Sequence, residues 1–115
     1  MKFMTLVKTM KTSGPPPMAL MSAIAAFGQE AAEAGVLVTQ GGLMGKEQSA
    51  FVTVHKTAIT VIDGPFAEAK ELVGGYAVYD LPNMAEAMNW TERFARLHVE
   101  HWPEWEGEIE VRPIM

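Results

Sequence analysis

The sequence contains no cysteine, which excludes disulfide bonds, thiolate nucleophiles and cysteine-ligated zinc. It is also short of basic side chains, because 9 Lys and Arg stand against 14 Asp and Glu, for a formal net charge of -5. Nucleic-acid binding draws most of its affinity from clustered Lys and Arg, so we expect no direct nucleic-acid partner. No apolar run approaches the roughly 20 residues that span a bilayer, so we expect no membrane segment.

The N-terminus lacks the long apolar core of a signal peptide, because Lys8 and Lys11 interrupt a short strand-like run. Together with the missing cysteines, this predicts a cytoplasmic protein. Apolar residues are plentiful, at 49% of the chain against 20% charged, which is typical of a folded globule. The length of 115 residues fits a single domain over residues 1–115.

Hydrophobic patterning predicts an α+β protein with the element order β, α, β, β-hairpin, β, α, β. The first strand, Lys2–Thr9, is apolar on both faces. The first helix, Met18–Ala34, follows three prolines and ends before Gly35, a residue suited to the left-handed position past a helix end. Further strands are predicted over Val36–Thr39, Phe51–Val54, Ile59–Ile62, Gly75–Leu81 and Glu108–Arg112.

A second helix is predicted from Asn83, where Glu86 completes a capping-box pattern, to about Pro103. Residues 40–45 contain three glycines and predict a flexible connection, because no phosphate-loop Lys-Ser/Thr pair follows them. The whole order is close to a ferredoxin-like plan, in which two helices pack on one face of an antiparallel sheet. The open face of such a sheet predicts self-association.

The segment Asp63–Gly75 begins Asp-Gly-Pro-Phe and crowds charged side chains between two strand-like runs. A hairpin connection needs only about two to five residues, so this segment carries more chemistry than a turn requires. The motif and the closing Glu110–Met115 resemble the DGPF-domain branch of the YCII-related family, small α+β proteins known mostly from bacteria. The resemblance covers essentially the whole chain and implies a homodimer that forms a dimeric α+β barrel.

Asp63 is the candidate catalytic acid or base, since partial burial at a strand end raises a carboxyl pKa and a nearby cation lowers it. The alternative interpretation is a turn residue whose carboxylate accepts a backbone N–H. The candidate ligand-binding residues are Phe66, Glu68, Lys70, Tyr76 and Arg112. Phe66 is equally compatible with the core, and Arg112 with an ion pair to a motif carboxylate.

Three histidines offer other chemistry. His98 and His101 lie three residues apart, so on a helix both can face one metal, but the glutamate arrangement of a zinc protease helix is missing and we predict no metal site. YCII-type members are proposed to use a His-Asp pair with the histidine near the first helix, and residues 13–35 contain no histidine. A pair would have to recruit His55, His98 or His101. No dinucleotide or cofactor-lysine motif is present, so we predict no cofactor.

Two functional hypotheses follow. The first is a homodimer that binds a small polar or aromatic molecule between sheet and helices near Asp63, with acid-base chemistry of a lyase or isomerase type. Phe66, Tyr76 and Trp90 would shape its cavity. The second is a noncatalytic regulatory or protein-interaction module, because DGPF-type genes tend to occur beside genes for alternative sigma factors. Whether the chain is an enzyme stays open at this point.

Overall fold

A four-stranded antiparallel sheet carries two helices on one face. The computed structural model describes residues 1–11, 14–63 and 72–115, apart from the side chains of Lys46, Ile62, Asp63 and Leu72. The strands are β1 (Lys2–Lys11), β2 (Leu37–Gly42), β3 (Ala50–His55), β4 (Ala58–Asp63), β5 (Leu72–Asp80) and β6 (Glu106–Pro113). The helices are α1 (Met18–Glu33) and α2 (Met84–His101), and a short 3₁₀ turn covers Lys46–Gln48.

The order of strands in the main sheet is β2-β5-β1-β6. Every neighbouring pair is antiparallel, and β5 lies between the strands that α1 connects. A β-α-β unit split by a third strand defines the ferredoxin-like plan. The α+β, ferredoxin-like prediction is therefore confirmed, with the β3–β4 hairpin inserted between the second and third strands of the plan.

The register of the strands separates two faces of this sheet. Thr5 of β1 lies opposite Ala77 of β5, both are buried, and their row forms the inner face beneath the helices. The next residue, Leu6, lies opposite Tyr76 and Glu110. Since successive side chains of a strand point to opposite faces, that row belongs to the outer face, away from the helices.

The core lies between the inner face and the helices. Phe3 is 1% exposed and packs in one cluster with Ala31 of α1, Tyr79 of β5 and Ala87 of α2. Full burial of an aromatic side chain of this size stabilises a fold by about 1.5–3 kcal/mol. This cluster fixes how both helices sit on the sheet and thereby positions the side chains that they present to it.

An aromatic and cationic contact joins α1 to α2. The rings of Phe27 and Trp90 meet edge to face, with centroids 5.6 Å apart. The Arg93 guanidinium lies 5.1 Å from the Phe27 ring centroid and 4.9 Å from that of Trp90, and it also pairs with Glu30. A cation over aromatic faces contributes about 0.5–2 kcal/mol, depending on how far it is desolvated.

Local signals in the sequence set the helix ends. Gly35 follows α1 with a positive φ of 75°, the left-handed conformation that a residue without Cβ adopts at little cost. At the start of α2, the Asn83 side chain accepts a hydrogen bond from the Glu86 N–H at 2.9 Å. The predicted N-cap of the second helix is confirmed. No helix in the described part of the chain is long and apolar enough to cross a membrane.

The predicted hairpin forms its own two-stranded sheet from β3 and β4. Its two-residue turn places Lys56 at a positive φ of 51°, as the first position of a type II′ turn requires. Side chains on both strands are exposed, among them Val54 and Ile59, each 71% exposed. An isolated two-stranded ribbon is marginally stable in water, and these apolar side chains add little burial to it.

Strand β2 is longer than its apolar pattern suggests. It reaches Gly42, and the pairs Gly41–Tyr76 and Gly42–Gly75 join it to β5. Part of the predicted flexible connection over residues 40–45 is thus a paired strand. A Cβ at residue 41 would lie 2.9 Å from the Tyr76 hydroxyl, so glycine is needed there for the ring to pack closely.

Candidate functional site

A cavity of about 570 Å³ lies between the inner face of the sheet and the helices. Its floor comes from β1 and β5, one wall from α1 and another from the end of α2, and residues 41–45 border its mouth. Typical small-molecule sites measure about 300–1,000 Å³ and are mostly apolar with a few placed polar groups. This cavity has the size and lining of such a site, and it lies between sheet and helices, where the sequence analysis expected a ligand.

Helix α2 presents a row of rings to the cavity. Phe94 and His98 are four residues apart, Trp102 follows four later, and all three line the space because residues at this spacing share a helix face. His98 is 5% exposed and Trp102 is 8% exposed. The His98 ring lies 5.1 Å from the ring of Phe94 and 4.5 Å from that of Trp105, measured between centroids. The imidazole is therefore held in an aromatic wall.

A backbone contact determines which ring nitrogen of His98 carries the hydrogen. Its Nδ1 lies 3.2 Å from the carbonyl oxygen of Phe94, and a carbonyl only accepts, so Nδ1 carries the hydrogen and donates it. In the neutral ring, Nε2 then holds a lone pair. Burial lowers the pKa of His98 and the bond to Phe94 offsets part of that effect, so the neutral form is favoured at pH 7.

The Nε2 atom of His98 is available to a ligand. No described partner hydrogen-bonds to it, while no buried side-chain nitrogen or oxygen in the described residues is left unpaired. The atom therefore keeps some accessible surface, on a ring that lines the cavity. A buried imidazole with one nitrogen anchored and the other open is the arrangement that general acid-base chemistry uses.

Trp105 and Thr9 form a second polar group on the wall. The Trp105 indole N–H donates to the Thr9 hydroxyl oxygen at 2.9 Å, and both residues line the cavity. The hydroxyl accepts this bond and keeps its own hydrogen for another acceptor. Trp105 sits against Gly107, where a Cβ would collide with the ring and with the Lys8 carbonyl oxygen. The missing side chain at Gly107 thus makes room for the indole.

Three more polar side chains border the cavity. Burial raises the pKa of Tyr79, and the Arg93 charge partly opposes this, so the phenol stays protonated at pH 7. The Gln40 amide packs directly on Gly28 of α1, so a Cβ at residue 28 would displace the end of this side chain. The Thr5 hydroxyl donates to the Ala77 carbonyl at 3.5 Å, the outer limit of such a bond.

Charged side chains are missing from the described lining, which contains no Asp, Glu, Lys or Arg. An ion brought into an apolar space without a partner loses hydration that nothing replaces. Hydrogen-bonding groups of neutral side chains, by contrast, can satisfy an amide, a hydroxyl or a carbonyl. This lining therefore favours an uncharged ligand with an aromatic or aliphatic body.

Most of the predicted motif site falls outside the described residues. Asp63 is the last residue of β4, with its backbone paired to Ala50, and its side chain is not described. Phe66, Glu68 and Lys70 all lie outside the described residues. Residues 73–75, which close the Asp63–Gly75 segment, line the cavity. The predicted roles of these four side chains remain predictions.

The two described candidates from the sequence, Tyr76 and Arg112, occupy the outer face. Tyr76 borders the cavity through β5, and its ring lies against Gly41. The Arg112 Nε lies 3.3 Å from the Glu110 carboxylate, which also receives Lys8 at 2.7 Å. The Lys8 hydrogen bond is the main cause that holds the Glu110 pKa below its usual value. Arg112 is thus in an ion pair with its strand neighbour Glu110, whereas its alternative interpretation named a carboxylate of the Asp63–Gly75 motif.

Trp90 also has a different neighbourhood from the expected one. It is not part of the described cavity lining and packs instead on Phe27 and on Tyr79, at 6.2 Å between the latter centroids. His101 is half-buried, with Nε2 3.8 Å from the Glu100 carboxylate. Among the described residues, no group of three or more His, Asp or Glu is placed to hold a metal.

Sequence reasoning missed the inward role of His98, although a signal for it was present. Ala87, Thr91, Phe94 and His98 follow the helical spacing of a buried face, and Ala87, Thr91 and His98 are indeed buried. The spacing of His98 and His101 had suggested a different role, that of two metal ligands on one helix face. A polar residue in register with an apolar stripe is the feature that identifies it.

Comparison with known proteins places the chain in a family. The model of the YCII-related domain matches residues 1–115, the whole chain. This chain belongs to the YCII-related domain family. A search of curated proteins finds no match. Family membership thus confirms the resemblance drawn from the Asp-Gly-Pro-Phe motif, and in this YCII-related protein the cavity histidine comes from α2.

Proposed function

We propose that this YCII-related protein binds a small, uncharged, largely aromatic molecule in the cavity between its sheet and helices. The carrying observation is the composition of the wall, in which the rings of Phe94 and Trp105 contact a buried neutral histidine and Trp102 lines the same space. Flat aromatic surfaces pack best against another ring in stacked or edge-to-face geometry. The few polar groups, spaced around an apolar space, would orient such a ligand.

The volume of the site supports a ligand of one or two fused rings. A cavity of about 570 Å³ lies within the usual range for small-molecule sites. The floor residues of β1 are small or branched, with Thr5, Val7 and Thr9 in one row, and leave the space open. Acid-base chemistry on the ligand, with Asp63 as acid or base, belongs to this proposal as its catalytic extension.

The first test compares three ligands that share a naphthalene ring. We expect 2-methoxynaphthalene and 2-naphthol to raise the melting temperature by mass action, and 2-naphthoate to do so far less because its carboxylate loses hydration. A stronger effect of 2-naphthoate than of both neutral compounds would contradict an uncharged site. No stabilisation by any of the three at millimolar concentration would overturn the proposed function.

A variant that fills the cavity locates the binding. Ile24 of α1 lines the space, so Ile24→Phe should keep the fold and abolish the stabilisation by 2-methoxynaphthalene. Val99 of α2 is 73% exposed and lies outside the described lining, so Val99→Phe adds the same ring and should leave binding unchanged. Equal binding by both variants would place the ligand elsewhere.

We also propose that the protein is a homodimer. The hairpin exposes Val52, Val54, Ile59 and Val61 by 64–71%, and the outer face of the sheet carries Leu6 beside other half-buried apolar side chains. Contiguous exposed apolar surface is typical of an interaction site. Sedimentation of the wild type should give a dimer, and Ile59→Lys should shift the equilibrium toward monomer if the hairpin contributes. A monomeric wild type at micromolar concentration would refute the proposal.

A further inference from the structure

We infer that the Nε2 atom of His98 accepts a hydrogen bond from a weakly acidic O–H or N–H group on the ring of the bound ligand. The inference rests on the proposed function and narrows its ligand to phenol-like or enol-like compounds. The carrying geometry is a buried imidazole whose Nδ1 is anchored at 3.2 Å to the Phe94 carbonyl and whose Nε2 opens to the cavity.

The anchor gives the ring one orientation and one tautomer. Phe94 lies one turn before His98 on the same helix, so its carbonyl is fixed relative to the imidazole. The rings of Phe94 and Trp105 lie 5.1 Å and 4.5 Å away and hinder a flip that would exchange the two nitrogens. An acceptor held this way requires little reorganisation when a ligand arrives.

The Thr9 hydroxyl, which is bonded to the Trp105 indole, offers the ligand a hydrogen-bond donor. Trp105 contacts His98 with its ring and donates its N–H to the Thr9 hydroxyl, whose own hydrogen remains for a ligand acceptor. The site therefore offers one acceptor at His98 and one donor at Thr9. A planar molecule with a hydroxyl at one edge and a carbonyl at another would satisfy both.

The hydrogen bond leaves both partners uncharged. The ligand O–H stays intact and donates its hydrogen to the Nε2 lone pair, so the imidazole and the ligand both remain neutral. This suits a described lining without ionic side chains. Its other titratable side chains are Tyr76 and Tyr79, and burial raises the pKa of Tyr79, so that phenol stays neutral.

Nitrogen-15 NMR of the imidazoles tests the hydrogen bond between His98 Nδ1 and the Phe94 carbonyl in the ligand-free protein. We expect the His98 ring at pH 7 to be neutral with the hydrogen on Nδ1, which gives Nε2 the shift of an unprotonated nitrogen. His55 and His101 serve as internal references in the same spectrum, because neither lines the described cavity. A hydrogen on Nε2 in the free protein would overturn the inference.

The second measurement adds 2-naphthol or its methyl ether, 2-methoxynaphthalene, to the same sample. Naphthol should move the Nε2 shift of His98 toward the protonated value, while the ether, which has no acidic hydrogen, should not. Naphthol should also bind about tenfold more tightly, the effect of one good hydrogen bond in a buried site. If both ligands bind but leave Nε2 equally unchanged, the inference fails and the proposed function stands. If neither binds, the proposed function fails as well.

A variant separates the hydrogen bond from packing. His98→Phe keeps an aromatic ring between Phe94 and Trp105 and removes both nitrogens, so it should lose the preference for naphthol over the ether while the ether still binds. His101→Phe is the matched control on the same helix and should retain the preference. A full preference in His98→Phe would overturn the inference, and the wild-type NMR shifts decide it if that variant does not fold.

Discussion

Gly107 offers the sharpest test of how the cavity wall is built. This residue of β6 lies opposite Thr9, and a Cβ on it would collide with the Trp105 ring and with the Lys8 carbonyl oxygen. A flexible side chain could move aside, but the carbonyl belongs to the neighbouring strand of the sheet. Gly107→Ala must therefore push the strands apart or expel the indole from its place on the wall.

The size of the effect follows from two contributions. Forcing a methyl group into a filled site destabilises by about 1–3 kcal/mol. Displacing Trp105 also breaks its 2.9 Å hydrogen bond to Thr9, which is worth about 1 kcal/mol. We expect a loss of about 2–4 kcal/mol in the free energy of unfolding. For a chain of this length that corresponds to a melting temperature lower by about 8–16 °C.

The assay is thermal and urea unfolding of Gly107→Ala beside a matched glycine variant. Gly42 also lies in a strand and borders the cavity, but nothing comes within 4 Å of a Cβ built there. Gly42→Ala should therefore leave stability within about 0.5 kcal/mol of wild type or raise it slightly, because alanine restricts the unfolded chain. Equal unfolding free energies for the two variants would refute the account of the wall.

Three further predictions concern single side chains. Burial lowers the pKa of His98 below the unfolded value near 6.5, so between these two pKa values the unfolded chain binds more protons than the folded one. The free energy of unfolding should therefore fall as the pH drops from 7 toward 5. Melting scans should show a smaller fall for His98→Phe. Thr5→Val should change the free energy of unfolding by less than about 1 kcal/mol, because the Thr5 hydrogen bond to Ala77 is 3.5 Å long. Thr9→Val leaves the Trp105 indole N–H without its acceptor and should lower the free energy of unfolding by about 1–2 kcal/mol in urea titrations. In 1 M salt, Arg93→Gln should lower the free energy of unfolding by about 1–2 kcal/mol and Glu30→Gln by less than about 0.5 kcal/mol. The reason is that salt screens the exposed ion pair but not the contacts of Arg93 with the aromatic rings. Equal losses in the two variants would contradict this.

The elements were predictable because each has a local cause. Three prolines and Gly35 delimit α1, Asn83 caps α2, and the alternation in β6 places Ile109 and Val111 on the inner side, in the rows of Val7 and Thr5. These signals act over a few residues, so they can be read without knowing the fold. The ferredoxin-like order then follows from the sequence of elements.

The cavity was less predictable because its chemistry comes from distant parts of the chain. Thr9 is far in sequence from His98 and Trp105, and it meets them only when β1 pairs with β6 below the end of α2. The length of β2 likewise depends on pairing with β5, which overrides the glycines at its end. Patterns within one element cannot show either result.

The three tryptophans provide the most direct test of the central claim that the cavity binds a small uncharged aromatic molecule. In a nitrogen-proton correlation spectrum each indole gives one signal. Titration with 2-methoxynaphthalene should move the signals of Trp102 and Trp105, which line the cavity, and leave Trp90 nearly unchanged, because it packs between α1 and Tyr79. Saturable shifts at the first two signals would support the account. No shift, or an equal shift at all three, would contradict it.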